Sequence, residues 1–549
     1  MLAICAAALL AMALTGTAGA SPVVQTTMVS EDPAGFTPRV ATGTAVYKLL
    51  QVGSTMFAGG DFSQVRNATG QATFDRDNLF SFNATSGALT SLSVSFNGPV
   101  WALATDGTSL WVGGEFTQVN GDTHRKLVKL DPTNGAVDTT FNPALTTGDV
   151  TDAQLVNGRL IIAGKFSKAL LALDPDTGAD TGYLNLGITG TVAPTAGPTD
   201  VYRFAVGPGK TRLVAIGNFT AVGGATRYRA FMVNLGATSG SLASWYYTPL
   251  NRACRSTVEP AQLRDVDFSP DGSFFVIVST GYVPQAGDQG VTICDAAARF
   301  NANVANPTRP VWMNYTGGDT LQSVVVTSAA VYIQGHQRWV SSTGVGCTFG
   351  CFSREGIAAL APASGAALTW NPGKDRGVGG KDLLLTSAPA GLWVASDTKQ
   401  IGNPREAHEE LAFLPLTGSA PRVAIPPPTP SCGGRTATIV GTDGANSIVG
   451  TAGADVIVAL GGSDVIRGRG GNDTVCGGSG NDRIKGGAGK DRIRGGPGDD
   501  RIRGGSGSDQ LRGGAGNDVV RGGPGQDQIR GGTGIDTCRS PMHAPGCNR

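Results

Sequence analysis

The sequence predicts an all-β protein made of two regions, each of which repeats one unit. Through residues 45–420, apolar runs rich in β-branched and aromatic residues alternate with D-G and N-G turns. Beyond residue 434, an aspartate stands at every ninth position from Asp455 to Asp536. No segment shows the period of a long amphipathic helix, so strands and turns are expected throughout.

The first twenty residues are predicted to be a secretory signal peptide. An apolar, Ala-rich run ends at Ala18-Gly19-Ala20, a small-residue pattern typical of a cleavage site, although the usual positive residues before the run are missing. The alternative is a membrane anchor, which needs roughly 18 or more strongly apolar residues. We therefore expect an extracellular or surface-associated protein without a transmembrane segment. The net charge of +1 points to no particular partner, and nucleic acid is not expected.

Eight cysteines remain once the signal peptide with Cys5 is removed. An even number in an exported chain favours disulfides over zinc, since no C-x-x-C pair or neighbouring histidine is present. Pairing between sequence neighbours predicts Cys254–Cys294, Cys347–Cys351, Cys432–Cys476 and Cys538–Cys547.

Two phrases recur seven times in the first region, at intervals of roughly 45–65 residues, the range of propeller blades. One is a strand that runs into a Gly-rich corner and an aromatic residue, as in LWVGGEFTQVNG from Leu110. The other follows it, as in LVKLDPTNGAV from Leu127. Each unit predicts four short strands, so residues 31–420 are predicted to form a seven-bladed β-propeller.

The corner motifs Gly59-Gly60-Asp61-Phe62 and Gly113-Gly114-Glu115-Phe116, with the L-D-P-T-N-G phrase, resemble the bacterial delta-type repeat propellers. The resemblance implies an envelope or extracellular protein and says more about fold than about activity. The residues after the corner differ in charge, so we interpret them as strand-edge turns and not as a ring of channel ligands; they are Asp61, Glu115, Lys165 and Asn218. The aromatic residues that follow are predicted to lie in the core; they are Phe62, Phe116, Phe166 and Phe219.

Known catalytic motifs are missing from the sequence, which has no G-x-S-x-G and no H-E-x-x-H, and we assign no catalytic residue. Two hypotheses about function stay open. The first is a non-enzymatic binding or surface-attachment protein. The alternative is a hydrolase or lyase that acts on extracellular polysaccharide, with a carboxylate pair assembled across blades. A deep acidic or Tyr/Arg-lined pocket at one mouth of the channel favours the enzyme, and an apolar plug favours the binding protein.

A Pro-rich linker at 421–434 precedes the second region, 435–540, and a short tail follows at 541–549. Its unit is G-G-x-G-x-D-x-U-x, with U a large aliphatic residue, and seven consecutive units are complete. This array matches the RTX, or hemolysin-type, calcium-binding repeat. The resemblance implies a parallel β-roll with two units per turn, in which aspartates eighteen residues apart stack.

Calcium is the cofactor that this resemblance implies. Ca²⁺ takes six to eight oxygen ligands, which inward-turned loop carbonyls and two carboxylates can supply, whereas Mg²⁺ prefers octahedral sites and retains water. The predicted ligands are Asp455, Asp464, Asp473, Asp482, Asp491, Asp500, Asp509, Asp518, Asp527 and Asp536.

Basic residues flank U in many units, which departs from the acidic arrays usual in this family. Residues 432–549 hold 15 Lys and Arg against 12 Asp and Glu, a net charge of +3. One interpretation is that arginine offsets repulsion between carboxylates and makes folding less dependent on calcium. The other is that outward arginine rows bind acidic wall polymers, anionic polysaccharide or phospholipid head groups.

Overall fold

The computed structural model describes residues 25–192, 197–255, 262–285, 287–342, 351–375, 380–417, 430–441 and 444–539. The predicted signal peptide, most of the linker and the C-terminal tail lie outside these residues. Within them the protein is all-β, apart from one turn of 3-10 helix at Thr248–Asn251, so the predicted fold class is confirmed. No helix in the described residues is long and apolar enough to cross a membrane.

Seven antiparallel sheets, named blades 1 to 7, follow one another along the first region. The strands of blades 1 and 2 are Arg39–Val52, Thr55–Arg66, Thr73–Asp75 and Leu79–Asn83, then Val100–Thr105, Leu110–Gly114 and Leu127–Leu130, with a hairpin at Gln118–Val119 and Asp122–Thr123. Those of blades 3 and 4 are Val150–Val156, Arg159–Gly164 and Leu170–Leu173, then Asp200–Val206, Arg212–Asn218, Ala230–Leu235 and Gly240–Leu242, with a small sheet of Ile188–Thr189, Ala221–Val222 and Ala225–Thr226.

The strands of blades 5 and 6 are Leu263–Phe268, Phe274–Ser279, Ala296–Asn301 and Trp312–Tyr315, then Leu321–Val326, Val331–Gly335 and Ile357–Leu360, with a hairpin at Trp339–Val340 and Phe352–Ser353. Those of blade 7 are Gly380–Ser387, Ala390–Ser396 and Leu411–Pro415, with a hairpin at Gln400–Ile401 and Glu406–Ala407. The first strand of each blade contacts the first strand of the next, and that of blade 7 contacts that of blade 1, so the sheets form a closed ring.

The N-terminal segment, which contains Val29 and Ser30, adds to the outer edge of blade 7. Val29 pairs with Leu416 beyond the third strand of blade 7, and the Ser30 N–H donates to the Pro415 carbonyl at 2.8 Å. The indole N–H of Trp370, which lies between the last strand of blade 6 and the first strand of blade 7, donates to the Ser30 carbonyl at 3.1 Å and also holds the segment. The outer edge of the last blade is therefore completed by residues from the other end of the region.

The double-glycine corners lie so close to neighbouring atoms that a side chain would not fit at either glycine. A Cβ on Gly113 would lie 2.6 Å from Val150 Cγ1 of the next blade, and one on Gly114 would lie 2.1 Å from the Pro99 carbonyl oxygen. Both distances are too short for any larger residue. The aromatic residues that follow the corners are at most 5% exposed, so their prediction as core is confirmed; they are Phe62, Phe116, Phe166 and Phe219.

The second region is a parallel solenoid of two six-stranded sheets, named roll sheets A and B, and the predicted β-roll is confirmed. Sheet A consists of Ile439–Val440, Val456–Val458, Thr474–Cys476, Arg492–Pro497, Gln510–Ala515 and Gln528–Thr533. Sheet B consists of Ser447–Val449, Val465–Gly470, Arg483–Ala488, Arg501–Ser506, Val519–Arg521 and Thr537–Arg539. Paired residues differ by eighteen, as in Ile466 with Ile484, so each turn contains two units.

The aliphatic position of every unit lies between the two roll sheets. These side chains form one buried cluster of Ile448, Ile457, Ile466, Val475, Ile484, Ile493, Ile502, Leu511, Val520 and Ile529. Because each unit buries only one large side chain, a single turn has little apolar contact without its neighbours, and stability depends on stacking.

Two predicted disulfides are confirmed, Cys254–Cys294 and Cys432–Cys476. The second joins a hairpin of Ser431–Cys432 and Arg435–Thr436, which begins inside the predicted linker, to the third strand of roll sheet A, Thr474–Cys476. Cys351 and Cys538 are also disulfide-bonded, and their predicted partners Cys347 and Cys547 lie outside the described residues.

Candidate functional site

The repeat aspartates of the roll stack in two columns, one along each edge of the roll. In each column the Oδ1 atom of one aspartate accepts the backbone N–H of the aspartate eighteen residues before it, as Asp482 does from Asp464 at 2.8 Å. Eight such bonds, 2.8–3.1 Å long, run from Asp455 to Asp536. The predicted stacking of carboxylates on successive turns is therefore present, and one oxygen of each carboxylate holds the backbone.

The other carboxylate oxygen, Oδ2, has no hydrogen-bond partner within the described residues in nine of these aspartates, Asp464 to Asp536. Their side chains are 0–7% exposed. Burial raises the pKa of Asp464 and Asp491 to about 6 and the pKa of Asp482 and Asp500 to about 7. A buried ionised oxygen without a partner costs about 1–3 kcal/mol or more, so the roll carries a repeated electrostatic cost that a cation would relieve.

Loop carbonyl oxygens lie beside these carboxylates. A Cβ on Gly495 would lie 2.0 Å from Asp500 Oδ2 and 2.8 Å from the Gly513 carbonyl oxygen of the next turn, and Gly504 repeats the arrangement with Asp509 and Gly522. Each first glycine thus leaves open a space that carboxylate and carbonyl oxygens share. These are the hard oxygen donors that calcium prefers, so the residues fit the ion.

An ion in the roll would take most of its ligands from the backbone. The described residues contain no cluster of three or more Asp, Glu, His or Cys side chains that could hold a metal. Carbonyl oxygens are common calcium ligands, and the positive φ of the second and third glycines, such as +130° at Gly496 and +131° at Gly498, sets the turn that brings them inward.

Asp455 differs from the other predicted ligands. Its Oδ2 accepts the Thr451 backbone N–H at 2.6 Å and the Thr451 hydroxyl at 3.0 Å. Thr451 stands where complete units have their second glycine. The first degenerate unit therefore satisfies its own carboxylate, and only the nine later aspartates keep a free oxygen.

A second ladder, which the sequence analysis missed, runs beside the aspartates. The residue before the aspartate accepts the N–H of the residue eighteen positions later, as Asn481 does from Asp499 and Asp499 does from Asn517, at 2.8 and 2.7 Å. Small acceptors fill this position in most units: Ser463, Asn472, Asn481, Asp499, Ser508 and Asn517. That enrichment was the signal in the sequence.

The basic residues form rows on the outer faces of the roll. In sheet B, Arg467, Lys485, Arg503, Arg521 and Arg539 follow one another as directly paired neighbours. A groove of about 590 Å³ on this sheet is lined by six cations and no acid; the cations are Arg467, Arg483, Lys485, Arg501, Arg503 and Arg521. Within the described part of the roll, none of them forms an ion pair.

The first strands of the propeller blades place buried charged side chains beside the channel. Lys48 Nζ lies 3.6 Å from Asp382 and 3.9 Å from Asp152, and Arg203 lies 3.7 Å from Asp152. The carboxylates also accept backbone N–H groups of the following blade, as Asp382 does from Leu49 at 2.9 Å.

Two further channel carboxylates repeat this arrangement. Asp265 accepts the Val324 N–H at 2.9 Å, Asp267 accepts the Val326 N–H at 2.7 Å, and burial raises the pKa of both to about 7. These contacts join neighbouring blades, which is a structural role.

Comparison with known families agrees with both resemblances. Residues 440–475, 477–511 and 503–538 match the RTX calcium-binding nonapeptide repeat (4 copies), and residues 109–141 match a domain of unknown function (DUF5122) beta-propeller. The C-terminal array therefore consists of RTX-type repeats, and the first region contains a propeller repeat of that domain. No protein of curated function matches the chain.

Solved structures are also similar, at low identity. "Structure of U3-55K" is 11% identical with a TM-score of 0.41, and covers 70% of this chain and 100% of its own. "Crystal structure of RRP9 WD40 repeats" is 11% identical with a TM-score of 0.39, covering 72% and 100%. "Crystal structure of WD40 beta propeller domain of Doa1" is 9% identical with a TM-score of 0.37, covering 73% and 100%.

Proposed function

We propose that this protein is exported, binds calcium in its roll and attaches to anionic polymers outside the cell. Calcium would be held along the two edges of the roll by the Oδ2 atoms of the nine aspartates from Asp464 to Asp536, together with loop carbonyl oxygens. The observation that carries this proposal is the set of nine buried carboxylate oxygens without a partner. The two disulfides support an oxidising compartment.

Attachment is assigned to the basic groove of roll sheet B. Strands in a sheet lie about 4.8 Å apart, so the paired row from Arg467 to Arg539 repeats a positive charge at that spacing. Like charges directly opposite one another destabilise a sheet, and no acid of the described roll pairs with them. A linear polyanion would relieve this repulsion, whereas the buried aspartates on the edges do not reach it.

The test uses the full chain in saturating calcium with dextran sulfate, and with uncharged dextran as the matched ligand. We expect binding to dextran sulfate alone, weakening strongly between about 0.05 and about 0.5 M salt, because exposed charges are screened over shorter distances. Replacing Arg467, Lys485, Arg503 and Arg521 by Gln should remove most of the binding. The matched control replaces Arg76, Arg159, Lys168 and Arg309 on the propeller by Gln, and should bind normally. Equal loss in both variants would show that only net charge matters.

A second candidate function is an enzyme that acts on acidic polysaccharide. The observation that favours it is a cavity on the propeller lined by Tyr47, Tyr202, Arg203 and Arg264, the lining expected of a catalytic mouth. Incubation of the protein with acidic polysaccharides, followed by an assay for new reducing or unsaturated chain ends, tests it. New ends that disappear in an Arg203→Gln variant would assign this enzymatic activity to the propeller cavity.

A further inference from the structure

Every propeller blade has a β-bulge at the same place in its first strand. The pairing register shifts between Val46 and Lys48 in blade 1 and between Val100 and Ala102 in blade 2, and the other five blades repeat the shift. The residues at the bulges are Tyr47, Trp101, Thr151, Tyr202, Arg264, Gln322 and Lys381. Bulges redirect side chains and are common beside functional sites.

All seven bulge residues line one cavity of about 300 Å³, together with Lys165, Arg203 and Gly380. The same bulge, repeated in all seven blades, therefore places seven side chains around one cavity. A packed plug would need apolar residues here, but the described residues of the lining include three aromatic residues and four cations and no acid. This is the composition of a binding site for an anionic ligand with a flat apolar face.

Three of the cations lie over rings of the cavity. Lys381 lies over the Tyr47 ring at 5.6 Å, and Lys165 lies over the Trp101 ring at 5.3 Å. Arg264 lies over the Tyr202 ring at 5.8 Å. In each pair the cation comes from a blade next to that of the ring, so the ring of blades fixes both partners.

Most of these cations are balanced by carboxylates behind the cavity wall. Lys165 pairs with Asp149 at 3.5 Å, and Lys381 pairs with Asp397 at 3.7 Å. Arg264 has no hydrogen bond or ion pair within the described residues, and its buried Nε atom lacks a partner. Burial raises the pKa of Asp200, and the Asn218 N–H, Lys165 and, least of the three, Arg264 lower it. Arg264 is thus the cation left to meet a ligand.

We propose that this cavity binds one uronic acid unit of an acidic glycan. The carboxylate would meet the Arg264 guanidinium, which suits planar carboxylates. The C–H face of the sugar ring would pack on Trp101 or Tyr202, and Thr151 and Gln322 would contact its hydroxyl groups. A cavity at the lower end of the range of about 300–1,000 Å³ for ligand pockets suits one sugar ring and not a long chain.

The experiment compares galacturonic acid with galactose, which differ only in the carboxylate, by calorimetric titration of the full chain. We expect galacturonic acid to bind about tenfold or more tightly than galactose, the usual effect of a charged hydrogen bond. Arg264→Gln should remove that preference, and Arg309→Gln, an exposed arginine on the same blade outside the cavity, should keep it. Arg264→Lys, which keeps the charge but not the planar guanidinium, is the second variant if Arg264→Gln does not fold, as judged by thermal unfolding, and it should weaken the preference.

Equal binding of both sugars, or a preference that survives Arg264→Gln, overturns the proposal. Competition by inorganic phosphate with no binding of galacturonic acid also overturns it, because the cavity would then be a site for bare anions. The variant with four neutralised cations in the roll should bind galacturonic acid normally. This outcome separates the cavity from the proposed attachment function of the roll.

Discussion

The propeller and the roll both bury carboxylates between repeated units, but the partners of these carboxylates differ. In the propeller, Asp152 and Asp382 contact Lys48, and each also accepts a backbone N–H of the next blade. In the roll, Oδ1 accepts a backbone N–H and Oδ2 has nothing to accept among the described residues. For Asp152 and Asp382 the propeller therefore supplies a counter-charge from its own chain, whereas the described part of the roll offers none to the Oδ2 atoms.

The largest expected effect of this difference is on thermal unfolding in chelator. Removing calcium should lower the unfolding temperature of the roll by more than about 10 °C, since several bound ions each contribute binding free energy to the folded state. The transition of the propeller should stay where it is. Circular dichroism and calorimetry during calcium titration measure both. A roll that is equally stable in chelator would mean that its arginines already offset the carboxylates.

The ring of the propeller is tested by removing the segment that closes it. A chain that starts at residue 35 lacks Val29 and Ser30, so the outer edge of blade 7 and the Trp370 indole lose their partners. We expect the propeller to lose about 3–5 kcal/mol of unfolding free energy, as for loss of a large core contact, and the roll to keep its own. A chain that starts at Gln25 is the control. Unchanged denaturant unfolding would show that the ring closes without this segment.

Within the roll, two aspartates give a matched pair. Asp500→Asn removes the charge of a free Oδ2, and we expect fewer calcium ions bound per chain and a loss of about 1–3 kcal/mol in calcium. Asp455→Asn should leave calcium binding almost unchanged, because Thr451 already satisfies its Oδ2. Equilibrium dialysis gives the number of bound ions. Equal losses in the two variants would contradict the distinction between them.

The change in propeller stability over one pH unit is the smallest of these effects. Burial raises the pKa of Asp265 from its usual 3.8 to about 7, so the folded state keeps a proton that the unfolded state loses between pH 4 and 7. Stability from this group is present below pH 4 and is lost as the pH rises through 7, with a slope on the order of 1 kcal/mol per pH unit. Asp265→Asn should flatten that slope, measured by urea unfolding across the range. An unchanged slope in the variant would assign the titration to another group.

Most of the roll could be predicted from its sequence, because every contact there repeats at a fixed spacing. The period of nine places Ile484 over Ile466 and Asp482 over Asp464 without any long-range information. The exception is Asp455, whose Oδ2 accepts a hydrogen bond from Thr451 of its own degenerate unit. Asp455 has the same motif position as the other aspartates, so the motif alone does not reveal this contact. The acceptor ladder through Asn481 was visible as an enrichment of small polar residues.

Less of the propeller could be predicted from its sequence. Strands, turns and core aromatics such as Phe116 follow from local pattern, and Lys165 was interpreted as a strand-edge turn although it lines the cavity. The residues at the bulges, such as Trp101 and Arg264, have no common residue type, so no repeated sequence motif identifies them.

By itself, the sequence determined the period of both regions, the position of the glycines and the stacked carboxylates, since these depend on residues close in the chain. Only the tertiary structure decided that Val29 completes blade 7 and that the seven bulge side chains meet in one cavity. The physical reason is that ring closure joins residues hundreds of positions apart, and such contacts leave no periodic trace.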